Sequence, residues 1–309
     1  MRSSGTVMCL ASGAAFGAMA VFGKLAYDEG TTVGTLLVVR FAMAAVLFWL
    51  VVLASGAARE IRALRRRDVV AGLALGACGY AFQAGCYFAA LERIDASLLA
   101  LLLYTFPAMV AAAAIALGRE RIDARRLTAL ALASGGLVLV VAGAGAGALD
   151  PLGGALGIAA AVCYSTYILV SDGVVARMRP ALLSALVCTG ATVSLTTGSA
   201  ALGQLHPGAV TAAGWGWLAS LAVVSTVGAV GLFFAGLHRV GPTTASILST
   251  VEPLVTGLLA FLVFGETLTA VQVAGGALVL SAVLVLNVRR RPRLLPEAAV
   301  PAAGAAQSG

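Results

Sequence analysis

Glu252 is an ionisable residue set about ten positions into an apolar run, Thr243 to Glu266, with Pro253 directly after it. About 20 apolar residues cross a hydrocarbon core of roughly 30 Å, so this carboxyl falls near the midplane. A charge there costs several kcal/mol unless it is paired, protonated or wet. Pro253 donates no backbone hydrogen bond and leaves the Ser249 carbonyl without its helical partner. Two readings of Glu252 stay open: a proton or substrate-amine site, or a permanently protonated carboxyl bonded to a backbone carbonyl near Pro253. Arg40 is the second intramembrane charge. It could hold a substrate carboxylate, pair with Glu252 or reach the interface along its own stem, and interface or structural pairing ranks first. Lys24, near the end of its run, is expected to snorkel.

Hydrogen-bonding side chains recur at helical spacing in other apolar runs. Tyr80, Gln83 and Tyr87 share one helical face, as do Tyr164, Tyr167 and Ser171. An amide facing lipid would be unsatisfied, so these stripes suit a cavity wall. The alternative is that Gly72 and Gly76, on the first stripe's face, let helices pack closely with the polar groups bonded across the contact. Tyr104, Ser246 and Thr250 stand one or two turns before a proline and form a second group of lining residues. Pro107 and Pro253 are candidate hinges, with a static kink as the plainer reading. His206 and His238 have no second ligand at metal spacing, and no metal or other cofactor is expected.

The elements that hold these residues follow from composition. The chain of 309 residues is 61% hydrophobic and 11% charged, against about 25% charged for soluble domains, which marks an integral membrane protein. Its five cysteines all lie in apolar runs, so buried free thiols rather than a disulfide framework are expected. Ten spans are predicted near residues 6–26, 33–55, 69–90, 96–118, 126–144, 152–170, 181–203, 214–236, 243–264 and 270–288. Continuous rather than alternating apolarity selects helices over a barrel, so the fold class is an all-α membrane protein. Residues 292–309 are expected to be a disordered cytoplasmic tail.

Arginines alternate by connection. They crowd between spans two and three (Arg59, Arg62, Arg65, Arg66, Arg67), four and five (Arg119, Arg121, Arg125, Arg126), and after span ten (Arg289, Arg290, Arg291, Arg293). The intervening connections are Arg-poor. Basic residues accumulate on the cytoplasmic side, which predicts cytoplasmic N- and C-termini.

The chain also repeats itself. An offset of 146 places Phe88, Ala89, Leu91, Arg93, Pro107 and Glu120 on Phe234, Ala235, Leu237, Arg239, Pro253 and Glu266. The units are 1–146 and 147–291. Each holds five spans, an odd number, so the second is inverted, an architecture common in alternating-access transporters.

Pro107 with Gly118-Arg119-Glu120, and Glu252-Pro253 with Gly265-Glu266 and then Gly275-Gly276, resemble the drug/metabolite transporter superfamily and its bacterial EamA-type permeases. The resemblance spans nearly the whole membrane portion and is strongest in spans three to five and eight to ten. It implies a ten-helix inverted-repeat permease of the inner membrane that moves small metabolites, often amino acids outward. An aromatic or amphipathic amino acid is the expected substrate, with a drug, nucleoside or sugar as the alternative. An intramembrane enzyme would need an acid/base or nucleophile pair, and no Gly-x-Ser-x-Gly or His/Glu metal motif is present. A channel would need a charge ring or carbonyl filter. Expected partners are the small-molecule substrate and the bilayer, with no nucleic acid, and the working unit is expected to be a monomer.

Overall fold

The computed structural model describes residues 2–56, 64–119, 122–144, 150–175 and 178–287. Glu120, Arg59, Arg62, Arg121, Arg289, Arg290 and Arg291, and the tail from 292 with Arg293, lie outside the described residues. Ten helices are long and apolar enough to span a membrane: α1 (Ser3–Asp28), α2 (Val33–Ala54), α3 (Arg66–Leu91), α4 (Ala96–Ala116), α5 (Ala124–Gly143), α6 (Pro151–Ser171), α7 (Pro180–Ala201), α8 (Ala212–Val240), α9 (Thr244–Phe264) and α10 (Ala270–Asn287). Each agrees with a predicted span to within a few residues. The largest difference is the end of α8, which continues through His238 and Arg239. Two basic residues suit a last turn, where exposed carbonyls carry partial negative charge. Gly241 at φ +81° and then Pro242 end the helix.

Helix packing has the symmetry of two five-helix sets. Helix α5 packs on α10 and α2 on α7; α1 packs on α8 and α9, while α6 packs on α3 and α4. Exchanging α1–α5 for α6–α10 maps this set of neighbours onto itself. Glycines permit the closest approaches. A Cβ on Gly136 would stand 2.7 Å from the Gly275 carbonyl oxygen, and one on Gly275 would stand 2.7 Å from that of Gly136.

Three irregularities recur in matching places of the two sets. Helix α4 breaks at Tyr104 (ψ 1°) and α9 at Thr250 (ψ −6°), each three residues before its proline. Both helices close on a left-handed glycine, Gly118 at φ +69° and Gly265 at φ +68°. There Arg119 N–H bonds the Ala114 carbonyl and Glu266 N–H the Ala260 carbonyl. Glycine is favoured at such a cap because a Cβ would be strained. Finally, α3 and α8 each contain a wide π turn, Leu75–Tyr80 and Val223–Gly228, a class of insertion frequent at functional sites.

The turn in α3 separates what the sequence placed on one face. Gly72 meets Leu186 of α7, and a Cβ on Gly76 would stand 2.0 Å from the Val187 carbonyl oxygen. The glycines therefore serve the α3/α7 contact, and the extra residue in the turn re-aims the helix before Gln83 and Tyr87.

Candidate functional site

The carbonyl freed by Pro253 is not left empty. Tyr104, at the break in α4, donates its hydroxyl to Ser249 O at 2.7 Å, and the same oxygen lies 2.9 Å from Glu252 Oε2. A phenol has one proton to give. With that proton on the Ser249 carbonyl, the Glu252 contact is filled only when the carboxyl supplies a proton of its own. An ionised Glu252 competes with Ser249 for the single phenolic hydrogen. The two helix breaks are thus joined through the Tyr104 hydroxyl, which touches both Ser249 O and Glu252 Oε2. The neighbouring turn is held against α1, where Thr256 Oγ1 donates to Gly17 O at 3.0 Å.

A run of aromatic rings leads away from this junction. Phe106 packs between Tyr104 and Tyr164 at centroid distances of 5.9 and 4.5 Å. Tyr164 stacks with Tyr167 at 6.5 Å, and Tyr167 with Tyr80 at 5.8 Å. Tyr80 meets Phe41 edge-on at 5.2 Å. Both Tyr80 and Tyr87 lie within electrostatic reach of Arg40 and of Glu252, and Tyr164 within reach of Glu252. Helices α2, α3, α4, α6 and α9 therefore contribute to one central region.

That region has unclaimed polar groups. Gln83 is 8% and Tyr87 5% exposed, and neither side chain nor those of Tyr164 and Tyr167 hydrogen-bonds another described residue. Their polar atoms are nonetheless not sealed in, since among the described residues only the Thr31 and Ser225 hydroxyls are both buried and unpartnered. Polar groups inside a protein that are neither bonded nor sealed are open to whatever occupies the space beside them.

Arg40 is buried, 2% exposed, which departs from the interface alternative and leaves structural pairing, ranked with it from sequence, and a substrate carboxylate. No carboxylate lies within ion-pair distance of it among the described residues, so it is not paired with Glu252. Its Nε donates to Thr226 Oγ1 at 3.0 Å, and its guanidinium carbon lies 5.0 and 5.3 Å from the Phe41 and Phe88 ring centroids. Thr226 is aimed by the π turn of α8, donating its own hydroxyl five residues back to Leu221 O.

Lys24 extends to a carboxylate in the connection just past α9. On the Arg-poor side its Nζ donates to Glu266 Oε1 at 2.7 Å. Glu266 also accepts the Ala96 and Ser97 N–H groups at 3.1 and 3.0 Å and the Ser97 hydroxyl at 2.9 Å. One carboxylate just past α9 thus clamps α1 and the first turn of α4, where unpaired N–H groups favour an anion. Burial pushes the Glu266 carboxyl up, but the Lys24 hydrogen bond and the Ser97 and Ala96 N–H groups together hold it below the usual carboxylate range. Neighbouring Asp95 is pushed up by burial and then by the Glu266 charge, against the pull of Lys24.

Among the residues singled out from sequence, Tyr80, Tyr87, Tyr104, Tyr164, Tyr167, Arg40 and Glu252 come together, with Gln83 on the same face of α3. Pro107 and Pro253 stand three residues after the two breaks. Thr250 turns its hydroxyl back to Ile247 O at 2.7 Å, and Ser246 is half-buried one turn earlier. Ser171 likewise bonds its own helix at Ile168 O. Sequence reasoning missed Phe106, Phe41, Phe88, Thr226 and the Lys24–Glu266 clamp. Phe106, adjacent to Pro107, was signalled by position; the others depend on helix contacts distant in sequence.

Comparison with known proteins gives consistent matches. The EamA-like transporter family model matches residues 3–142 and 151–288. An uncharacterized transporter of Archaeoglobus fulgidus is 32% identical over 204 residues, covering 64% of this chain and 70% of the relative. The uncharacterized transporter YcbK of Bacillus subtilis is 26% identical over 288 residues, covering 88% and 89%. A crystal structure at 18% identity shares the fold with a TM-score of 0.65, over 93% of this chain and 97% of the other.

Proposed function

The chain belongs to the EamA-like transporter family, and on that premise we propose that it carries small amphipathic organic solutes through the region lined by Tyr80, Gln83, Tyr87, Tyr104, Tyr164 and Tyr167. The observation that carries this reading is the set of unbonded, unsealed polar groups of Gln83, Tyr87, Tyr164 and Tyr167 between the two five-helix sets. A carrier needs such a site at depth, at the interface of its repeats. We read 1–146 and 147–291 as the moving units, the breaks before Pro107 and Pro253 as hinges, and alternating access as the mechanism. Ser246 and Thr250 would line the route in another conformation.

Amino acids, above all aromatic ones, are the favoured cargo, moved outward across a bacterial inner membrane by a monomer with both termini in the cytoplasm. The tyrosine stack also favours flat rings, which keeps nucleosides and aromatic drugs as a second reading. Sugars have less to stack. The Tyr104 contact makes Glu252 the place where a proton would bear on the hinge.

Counterflow in proteoliposomes preloaded in turn with amino acids, nucleosides and sugars, with and without a proton gradient, tests the reading. Accumulation is expected with one solute class, and Glu252→Gln is expected to remove any dependence on the gradient. Absence of counterflow with every class would sink it.

A further inference from the structure

The position of Arg40 narrows the cargo. A guanidinium has five N–H donors in a planar fork matched to a carboxylate. Nε is taken by Thr226, whose own proton is committed to Leu221, and the Tyr80 hydroxyl lies beside the guanidinium. The Phe41 and Phe88 rings stand near the cation, which offsets part of the cost of burying it but supplies no counter-charge. Among the described residues no carboxylate lies within ion-pair distance. A buried, unneutralised cation is strongly disfavoured in a membrane interior, and such residues mark substrate or ion pathways. Tyr87, within electrostatic reach of Arg40, and Gln83, one turn before Tyr87 on α3, present polar atoms that are neither bonded nor sealed.

We propose that Arg40 is the seat of the substrate's carboxylate, so that the cargo is a small organic acid whose aromatic or apolar body lies along Tyr80, Tyr164 and Tyr167. Binding then supplies the counter-charge that the protein omits. Thr226 holds the fork from behind, so the π turn of α8 is a positioning device for the seat. An amino acid fits with its carboxylate on Arg40; an uncharged nucleoside or sugar leaves the cation unneutralised. The inference rests on the carrier reading for its biological meaning, but binding can be measured without transport.

The test is ligand-induced stabilisation of the purified full chain by four probes: 3-phenylpropionate, 3-phenylpropionamide, L-phenylalanine and phenethylamine. The two carboxylates are expected to bind about ten- to a hundredfold more tightly than the amide and the amine, the range set by a charge-assisted hydrogen bond. Arg40→Gln is expected to erase that preference. Arg40→Lys, which keeps the charge but not the fork, is expected to keep the order with weaker binding, and it carries the test if Arg40→Gln does not fold.

Equal binding of acid and amide by the wild type, an acid preference that survives Arg40→Gln, or no stabilisation by any probe would overturn the proposal. Counterflow separates this outcome from failure of the carrier reading. Transport of uncharged solutes that persists in Arg40→Gln removes the seat and leaves the carrier. Carboxylate binding lost in Arg40→Gln, with no counterflow of any solute, keeps the seat and removes the carrier.

Discussion

At the scale of single residues, depth in the bilayer is legible in the sequence and partners are not. Glu252 and Pro253 announced both a buried carboxyl and a freed Ser249 carbonyl. That Tyr104 would reach both was hidden, because its contact crosses 145 residues. The partners of Arg40 and Lys24 were hidden for a related reason. A charge a few residues inside a span can turn to lipid, to the interface or to the protein, and only packing around the helix decides which. The Lys24 partner lies 242 residues away. Tyr104→Phe is expected to cost about 1–3 kcal/mol of stability, since it leaves a buried carbonyl unpaired at a proline. Glu252→Gln is expected to cost less than about 1 kcal/mol, because an amide N–H can still donate to the phenolic oxygen. Unfolding measurements of the two variants beside wild type check the order; a larger loss for Glu252→Gln would mean that the proton count at Tyr104 is wrong.

At the scale of elements, spans and helix breaks were readable from apolar length and prolines. The π turns were not. A wide turn forms where neighbours favour it, as where Gly76 of α3 meets the Val187 backbone and where Thr226 of α8 bonds five residues back. Small-residue contacts were half legible: glycines stand out in a sequence, but which of them touch does not. Gly136→Val is expected to destabilise by about 1–3 kcal/mol, because its side chain enters the α10 backbone at Gly275. Gly257→Ala, with nothing within 4 Å of the added carbon, is expected to be neutral or to stabilise by about 0.5–1 kcal/mol. Thermal unfolding of both separates packing glycines from incidental ones, and equal losses would contradict the α5/α10 interface.

At the scale of the molecule, two paired sets of five helices meet at a central aromatic region, and the Arg-poor side is held by Glu266. The repeat was visible in sequence because Pro107 and Glu120 keep register with Pro253 and Glu266, but its consequence was not. Glu266 marked the duplication, and nothing in the sequence tied it to the first turn of α4. Its folded pKa lies below the ordinary carboxylate value of about 4.3. The clamp's contribution to stability is therefore complete above that value and lost as pH falls through the folded pKa. Wild type is expected to melt higher than Glu266→Gln near neutral pH and to lose that advantage as pH falls through the lowered folded pKa; an advantage that never shrinks with acid would show that the carboxylate charge is irrelevant there.

In the alternating-access cycle proposed above, this clamp opens and closes in each turnover. With the five native cysteines replaced by alanine, a short methanethiosulfonate cross-linker between Ser97→Cys and Glu266→Cys would hold α4 to the end of α9. Counterflow of a transported solute should stop on cross-linking and return when a reductant cleaves the link. Counterflow that continues unchanged while the link is intact would contradict movement of the two halves about the central site.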